Sequence, residues 1–207
     1  MIKRIPKSCV STEDWEEKKL GEISSIEYGL TDTAKNKGDF RFIRITDIDN
    51  YGNLEKENKM YVDYSIDSEK YLLHEDNLLM ARTGATYAKV LLYKDLEKSV
   101  FASYLIRINF REKIINKLYW YFSKSTLYWN QANKLSSGSA QPQFNGNALK
   151  QLKFNYPNSI DEQKSIVAKL DELSAETKQL EKIYRQKIAD FEELKKSILN
   201  KAFEGEL

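Results

Sequence analysis

The most regular hydrophobic pattern of the chain lies near its carboxyl end, where apolar residues recur at alternating steps of four and three. Neither glycine nor proline interrupts the segment from Ile160 to Glu204. Such spacing is a heptad repeat, typical of helices that wind around a partner helix. One seam position of the repeat holds Leu170, Thr177, Tyr184, Phe191 and Ile198, and the other holds Leu173, Leu180, Lys187 and Leu194.

The heptad segment predicts one long helix of roughly 44 residues, about 65 Å in length. A helix that packs on a protein core also repeats apolar residues, and this is the alternative interpretation. The narrow stripe continues through about six heptads, more than the rest of the chain can cover, which favours a coiled coil. We expect a dimer to bury Leu170, Leu173, Leu180, Tyr184, Phe191, Leu194 and Ile198.

The part of the chain before the heptads mixes strand-like and helix-like patterns. β-Branched and aromatic residues cluster at 40–45, 90–93 and 103–108, which is typical of strands. Residues 112–135 repeat apolar side chains at helical spacing. The sequence Ser-Ser-Gly-Ser-Ala-Gln-Pro at 136–142 then predicts a loop.

These patterns together predict a mixed α/β fold in two parts. Residues 1–157 are expected to form a domain with a twisted β-sheet and helices, and residues 158–207 a single long coiled-coil helix. No run of residues approaches the roughly 20 apolar positions that a membrane span needs. The first residues also lack the apolar stretch of a signal peptide, so we expect a cytoplasmic protein.

Charge is distributed unevenly between the two parts. The whole chain has a formal charge of +2, but the first 160 residues hold 24 basic and 20 acidic side chains, a net of +4. They also hold 22 of the 25 aromatic residues. A mildly basic, aromatic-rich domain suits contacts with nucleic acid, and it is equally compatible with an ordinary globular domain.

Residues typical of enzyme sites are scarce. His74 is the single histidine and Cys9 the single cysteine, so neither a zinc site nor a Cys–His pair can be assembled from them. No glycine-rich phosphate loop occurs. Asn155-Tyr156-Pro157 matches only part of the Asn-Pro-Pro-Tyr motif of adenine methyltransferases. We therefore expect no catalytic activity, no metal and no cofactor in this chain.

A series of short motifs follows in a fixed order along the sequence. The first half contains Trp15, Lys19-Leu20-Gly21-Glu22-Ile23, Tyr28-Gly29, Arg44-Ile45-Thr46-Asp47-Ile48 and Leu78-Leu79-Met80-Ala81-Arg82-Thr83-Gly84-Ala85-Thr86. The second half contains Ser137-Gly138-Ser139-Ala140-Gln141, Phe144, Glu162-Gln163-Lys164-Ser165-Ile166 and Ala202-Phe203-Glu204-Gly205-Glu206-Leu207. This succession resembles the specificity subunits of type I restriction-modification systems over nearly the whole chain.

The resemblance implies a non-catalytic subunit that recognises a DNA sequence. Residues 1–157 correspond to a target recognition domain and residues 158–207 to a spacer and dimerisation helix. The implied partners are double-stranded DNA, a modification (methyltransferase) subunit that supplies S-adenosylmethionine, and a restriction (translocase/nuclease) subunit. The family's usual subunit has two recognition domains and two helices. This chain has one of each, so it is either a natural half subunit or a fragment. For a half-length form we expect pairing as a homodimer.

Candidate DNA contacts lie on the segments that carry the resemblance. Arg44 and Arg82 have guanidinium groups that suit guanine O6 and N7 or a phosphate. An ion pair, for instance of Arg44 with Asp47, is the alternative. Gln141 and Gln143 carry amides that suit adenine N6 and N7, unless their loop is a simple connector.

A second group of candidates has polar side chains in other segments. Tyr28, Lys35 and Lys37 lie in a polar segment that could contact the DNA backbone, and Thr83 and Lys89 are further candidate DNA contacts. Exposed lysines are often simply solvated, which is the alternative for this group. The family often has a glycine soon after Gly-Ala-Thr, where this chain has Tyr87-Ala88-Lys89. Two other functions stay open from the residues alone: a coiled-coil interaction scaffold without DNA specificity, and a fragment of an adenine methyltransferase.

Overall fold

The computed structural model describes residues 14–49, 51–55, 57–137 and 143–206. They form two compact units, of which the first ends at Lys164 and the second begins at Ser165. The start of the long helix thus belongs to the first unit. The domain boundary expected after residue 157 stays a prediction.

Nine strands occur in the described residues. They are β1 (Trp15–Lys19), β2 (Ser24–Tyr28), β3 (Phe40–Ile43), β4 (Tyr61–Val62), β5 (Leu78–Ala81), β6 (Val90–Leu92), β7 (Ser99–Phe101), β8 (Leu105–Phe110) and β9 (Lys153–Pro157). The helices are α1 (Leu20–Ile23), α2 (Asn116–Phe122), α3 (Thr126–Leu135), α4 (Gly146–Gln151) and α5 (Ile160–Glu204), with 3₁₀ turns at Ile45–Asp47 and Ile66–Tyr71.

The strands form three small sheets. The largest is antiparallel with the order β2-β8-β5-β6, so that β5 is an inner strand, and its four residues are all buried. A second sheet has the order β4-β3-β7, in which β3 pairs parallel with β7. The third pairs β1 with β9 in antiparallel register, from Trp15 opposite Pro157 to Lys19 opposite Lys153. The predicted mixed α/β fold with a long C-terminal helix is confirmed.

The core of the first unit is built from side chains of both larger sheets. One cluster of buried residues consists of Ile43, Ile48, Leu73, Leu79, Ala81, Leu91, Tyr93, Phe101 and Leu105. A second cluster, beneath α2 and α3, consists of aromatic rings. Tyr119 lies at its centre, with ring centroids 5.2–6.4 Å from those of Phe110, Phe122, Tyr128 and Phe154. These rings hold the helices against the edge strand β9.

The helical pattern predicted at 112–135 corresponds to two helices. Ser123 ends α2, and the Ser125 hydroxyl accepts a hydrogen bond from the Tyr128 N–H, which caps α3. A serine at this position satisfies one of the free N–H groups of a new helix, which favours a break over continuation. The strand expected at 103–108 begins two residues later, at Leu105, because Ser103 and Tyr104 form the preceding turn.

The second unit is the rest of α5, whose bounds agree with the predicted helix. Its apolar side chains are exposed in the single chain, among them Leu173, Leu180, Tyr184, Phe191, Leu194 and Ile198. Leu170, nearer the start of the unit, is half-buried. Across the described part of the chain, no helix is long and apolar enough to cross a membrane.

Candidate nucleic-acid interface

Arg82 follows β5 and lies between two tyrosine rings. Its guanidinium carbon is 5.5 Å from the centroid of the Tyr28 ring and 5.1 Å from that of Tyr104. Both distances fit cation–π contacts, which attract the cation and restrict its motion. Within the described residues, the guanidinium has no hydrogen bond or ion pair with another protein group. Arg82 is therefore a half-buried cation, held in place but available to a ligand.

A cleft of about 100 Å³ opens beside this guanidinium. It is lined by Arg82, Thr83, Tyr104, Gln143 and Asn145. We call these residues, together with Tyr28, the arginine cluster. They come from four separate segments of the chain, and the tyrosines are 42% and 51% exposed. One positive charge, several neutral hydrogen-bonding groups and two aromatic rings therefore meet at one accessible place.

Backbone hydrogen bonds hold the segments of the arginine cluster together. Gln143 bridges Thr83 on one side and Ser137 on the other. The Gln143 N–H donates to the Ser137 carbonyl at 2.8 Å, and the Ser137 N–H donates back at 3.1 Å. The Phe144 N–H donates to the Arg82 carbonyl at 2.8 Å, with the Phe144 ring fully buried. Ser137 and Gln143 are thus anchored beside Arg82.

Helix α4 begins at the edge of the cluster. The Asn145 side-chain oxygen accepts from the N–H groups of Asn147 and Ala148, each at 3.0 Å, and so caps the helix. The Gly146 N–H donates to the Tyr28 hydroxyl at 3.0 Å. A Cβ atom at Gly146 would lie 2.7 Å from that hydroxyl oxygen and 2.5 Å from the Ile26 side chain, so a larger residue here would displace one of these side chains. Tyr28 is positioned by this bond.

The turn after Thr83 forms without the glycine that the family often has. Ala88 has a φ of +60°, a conformation that glycine adopts most easily, and it is fully buried. The Tyr128 hydroxyl donates to its carbonyl, and the Ala88 N–H donates to the carbonyl of Ala81 at 2.7 Å. These two bonds hold the alanine in the turn.

The remaining predicted contacts lie elsewhere. Arg44 forms a two-pronged ion pair with Asp47, with N–O distances of 2.7 and 3.2 Å, so the bracing interaction is present. Lys35 pairs with Asp63, and Lys37 is exposed in the same segment. Lys89 lines a different cleft. Gln141 lies outside the described residues.

Other arginines show what distinguishes Arg82. Arg41 is buried and pairs with Asp95 at 2.7 Å, while Arg107 pairs with Glu27 and also donates to two backbone carbonyls. These guanidinium groups hold loops to the sheets. Tyr104 and Asn145 belong to the cluster although the sequence analysis did not select them. The sequence around these residues does not mark either as a ligand contact. The pairing of β8 with β5 brings Tyr104 to Arg82, and the start of α4 brings Asn145 there.

The Asn155-Tyr156-Pro157 segment is part of strand β9. The Tyr156 hydroxyl donates to the Glu112 carboxylate, which Lys18 also contacts at 2.9 Å. Burial, together with the hydrogen bond to Glu112, raises the pKa of Tyr156 to about 12. The segment is thus engaged in structural contacts. In the residues that the structure describes, no three His, Cys, Asp or Glu side chains are grouped to bind a metal.

Comparison with known proteins places this fold in one class. Residues 12–189 match the family model described as the type I restriction modification DNA specificity domain. The chain belongs to this family, and the resemblance inferred from its motifs is confirmed. A curated relative, the StySPI specificity subunit of a type I restriction enzyme from Salmonella potsdam, is 28% identical over 93% of this chain and 43% of its own length.

Solved structures show the same fold. One chain, from a structure describing complex assembly and conformational transition of a type I restriction-modification system, superposes with a TM-score of 0.75 at 17% identity. The HsdS subunit of Thermoanaerobacter tengcongensis gives 0.65 at 17% identity. Each comparison covers 98% of this chain, but only 49% and 48% of the respective solved chains. The chain thus spans about half the length of the relatives it matches.

Proposed function

We propose that this chain recognises a DNA sequence for a type I restriction-modification complex and has no catalytic activity itself. Its partners are double-stranded DNA, a modification subunit and a restriction subunit, and it works in the cytoplasm, where the host DNA is. Residues 1–157 act as the target recognition domain and residues 158–207 as the spacer helix. Family membership supports the general role, and the arginine cluster supports its mechanism.

The observation that carries the proposal is the Arg82 guanidinium, which is held between two tyrosines and lacks a described acidic partner. An arginine of this kind can donate two parallel hydrogen bonds to O6 and N7 of guanine in the major groove. Gln143 and Asn145 line the same cleft with amides, which suit the edges of neighbouring bases. A coiled-coil interaction scaffold without DNA specificity does not require a fixed guanidinium beside amide side chains. The scaffold alternative and the methyltransferase fragment are therefore not favoured.

The other predicted contacts are assigned by their surroundings. Tyr28 and Thr83 position or extend the base contact of Arg82, and Gln141 belongs to the loop anchored at Gln143. Lys35, Lys37 and Lys89 contact phosphates. Arg44 acts mainly as a brace through Asp47. Phosphate contacts set the register of the protein on DNA, and base contacts supply sequence preference.

The second unit serves assembly. We propose that two copies pair antiparallel through Leu170, Leu173, Leu180, Tyr184, Phe191, Leu194 and Ile198. An isologous dimer places two identical recognition domains on DNA in opposite orientations, so the target is two inverted half-sites separated by an unread gap. Lys187 within the stripe fixes the register of the two helices at some cost in stability.

The test is to express the chain with its modification subunit and map methylated sites across the genome of the host. Arg82→Ala is expected to lose about 1–3 kcal/mol of discrimination at one base pair of each half-site, so that the motif becomes degenerate there. The exposed Arg111→Ala variant is the matched control and should keep the wild-type motif. An unchanged motif and methylation rate in Arg82→Ala would refute the base contact.

A further inference from the structure

A second cleft, of about 220 Å³, opens at the far end of the turn that begins at Thr83. It is lined by Tyr51, Gly52, Lys89, Val90, Ser123, Lys124 and Trp129. We call it the lysine cleft. Its described lining contains two ammonium groups and two aromatic rings. The arginine cluster, by comparison, combines one cation with two amides.

Helix α2 and its neighbours fix the walls of the lysine cleft. The Lys124 ammonium lies 3.2 Å from the centroid of the Trp120 ring, a close cation–π contact that holds the charge at the rim. The Trp120 indole N–H donates to the Gly52 carbonyl at 3.2 Å, which ties the turn at Gly52 to the helix. Gly52 has a φ of +73°, and a Cβ there would lie 2.5 Å from the Val90 carbonyl oxygen.

The lysine cleft is adjacent to the arginine cluster. The Ala81 N–H donates to the Lys89 carbonyl at 2.9 Å, so Lys89 is the strand neighbour of the residue that precedes Arg82. Neighbouring strands are about 4.8 Å apart. The turn between the two clefts is braced from outside, since the Tyr87 hydroxyl donates to Asn133 at 2.7 Å and the Tyr87 ring packs edge-on against Trp129.

We propose that the lysine cleft binds a backbone phosphate of the DNA strand whose base is contacted by Arg82. This inference rests on the proposed function. Ammonium groups attract phosphate by charge without reading sequence, whereas amides beside a fixed guanidinium discriminate base edges. The cleft is large enough for a phosphate with its sugar, and Tyr51 and Trp129 supply apolar walls for that sugar. The lysine cleft thereby contributes affinity for DNA, and the arginine cluster, at the other end of the same turn, contributes sequence specificity.

The experiment measures binding of the full chain to a fluorescent random-sequence duplex at increasing NaCl concentrations. Each phosphate contact contributes about 0.9 to the slope of log K against log salt concentration. Lys89→Ala/Lys124→Ala is expected to lower that slope by about 1 and to weaken binding several-fold. Lys89→Arg/Lys124→Arg should keep the wild-type slope, which separates loss of charge from loss of fold. The exposed pair Lys94→Ala/Lys113→Ala is the control for net charge.

The outcomes distinguish a failure of the proposed DNA recognition from a failure of the lysine-cleft inference. A wild-type chain that binds no duplex DNA contradicts the proposed function itself. A wild-type chain that binds, with a slope unchanged in Lys89→Ala/Lys124→Ala or reduced equally in the control pair, overturns the lysine cleft alone. Once the methylation motif is known, a loss confined to duplexes with that motif would also overturn it, because a phosphate contact weakens all sequences alike.

Discussion

The side-chain oxygen of Gln163 accepts a hydrogen bond from the backbone N–H of Ile115 at 2.9 Å, across 48 residues of sequence. The amide nitrogen of Gln163 donates to the carbonyls of Pro157 and Lys113, at 2.9 and 3.1 Å. The side chain is fully buried. One glutamine thus joins the first turn of α5 to the end of β9 and to the segment before α2, which explains its place in the Glu-Gln-Lys motif.

We predict that Gln163→Leu destabilises the first unit by about 1–3 kcal/mol. Leucine has a similar size but leaves one N–H and two carbonyls buried without their partner, and unsatisfied buried groups carry the full cost of desolvation. Urea unfolding followed by tryptophan fluorescence measures the change. Gln186→Ala, on the exposed part of the same helix, should change stability by no more than about 0.5 kcal/mol. Equal effects of both substitutions would contradict the role assigned to Gln163.

Two buried tyrosines allow a matched comparison in the aromatic cluster. The Tyr119 hydroxyl is fully buried and, among the described residues, has no hydrogen-bond partner. Burial raises the pKa of Tyr119 and disfavours ionisation. Tyr119→Phe is therefore expected to stabilise the fold by about 1 kcal/mol, because it removes an unsatisfied polar group.

The companion substitution Tyr128→Phe should have the opposite sign. The Tyr128 hydroxyl donates to the Ala88 carbonyl, so its removal leaves a buried acceptor without a donor and costs about 1–3 kcal/mol. Thermal unfolding of the two variants beside the wild type measures the sign of the change in stability for each substitution. Destabilisation by Tyr119→Phe would show that its hydroxyl has a partner.

We expect acid to weaken the junction of β1, β9 and the segment before α2. Hydrogen bonds from Tyr156 and Lys18 lower the pKa of Glu112. A carboxyl with a lowered pKa stabilises the fold at pH values above its unfolded pKa of about 4.3, and this stabilisation is lost as the pH falls through the folded pKa. Glu112→Gln should flatten the decline in unfolding free energy between neutral and acid pH. The exposed Glu75→Gln should leave the decline unchanged, and a decline unaltered in Glu112→Gln would be evidence against this assignment.

Leu180→Asp should convert a dimer into a folded monomer. Leu180 is 54% exposed in the single chain, and burial of a leucine side chain stabilises an interface by about 1.5–3 kcal/mol. Light scattering after size exclusion measures the mass, and methylome sequencing measures the loss of specific modification. Lys182→Asp, on the opposite side of the helix, should remain dimeric. A monomeric wild type at micromolar concentration, or a target without inverted symmetry, would exclude the homodimer.

Periodicity predicted the long helix because its pattern repeats over many turns and is local. Strands were harder to predict. β1 has the sequence Trp-Glu-Glu-Lys-Lys, whose charged residues give no strand signal, and it exists because β9 pairs along its whole length. The break between α2 and α3 depends on one serine cap, which a hydrophobic repeat does not reveal.

The candidate site was predicted in part. Tyr28, Arg82, Thr83 and Gln143 were selected from the sequence, and the structure brings these four together. The sequence does not show whether a given arginine forms an ion pair within the protein or stays available to a ligand. Arg44 and Arg82 follow similar apolar stretches. Arg44 has Asp47 three residues away, whereas Arg82, within the described residues, lies between the rings of Tyr28 and Tyr104.

The pairing of Trp15 with Pro157 brings the first and the last described strand of the sheet-bearing unit together. A module with neighbouring ends can be copied in tandem, or exchanged by recombination, without separating any strands inside it. Relatives about twice as long as this chain have the length that one such duplication would produce. In evolutionary terms, the β1–β9 pair makes the sheet-bearing unit a self-contained cassette.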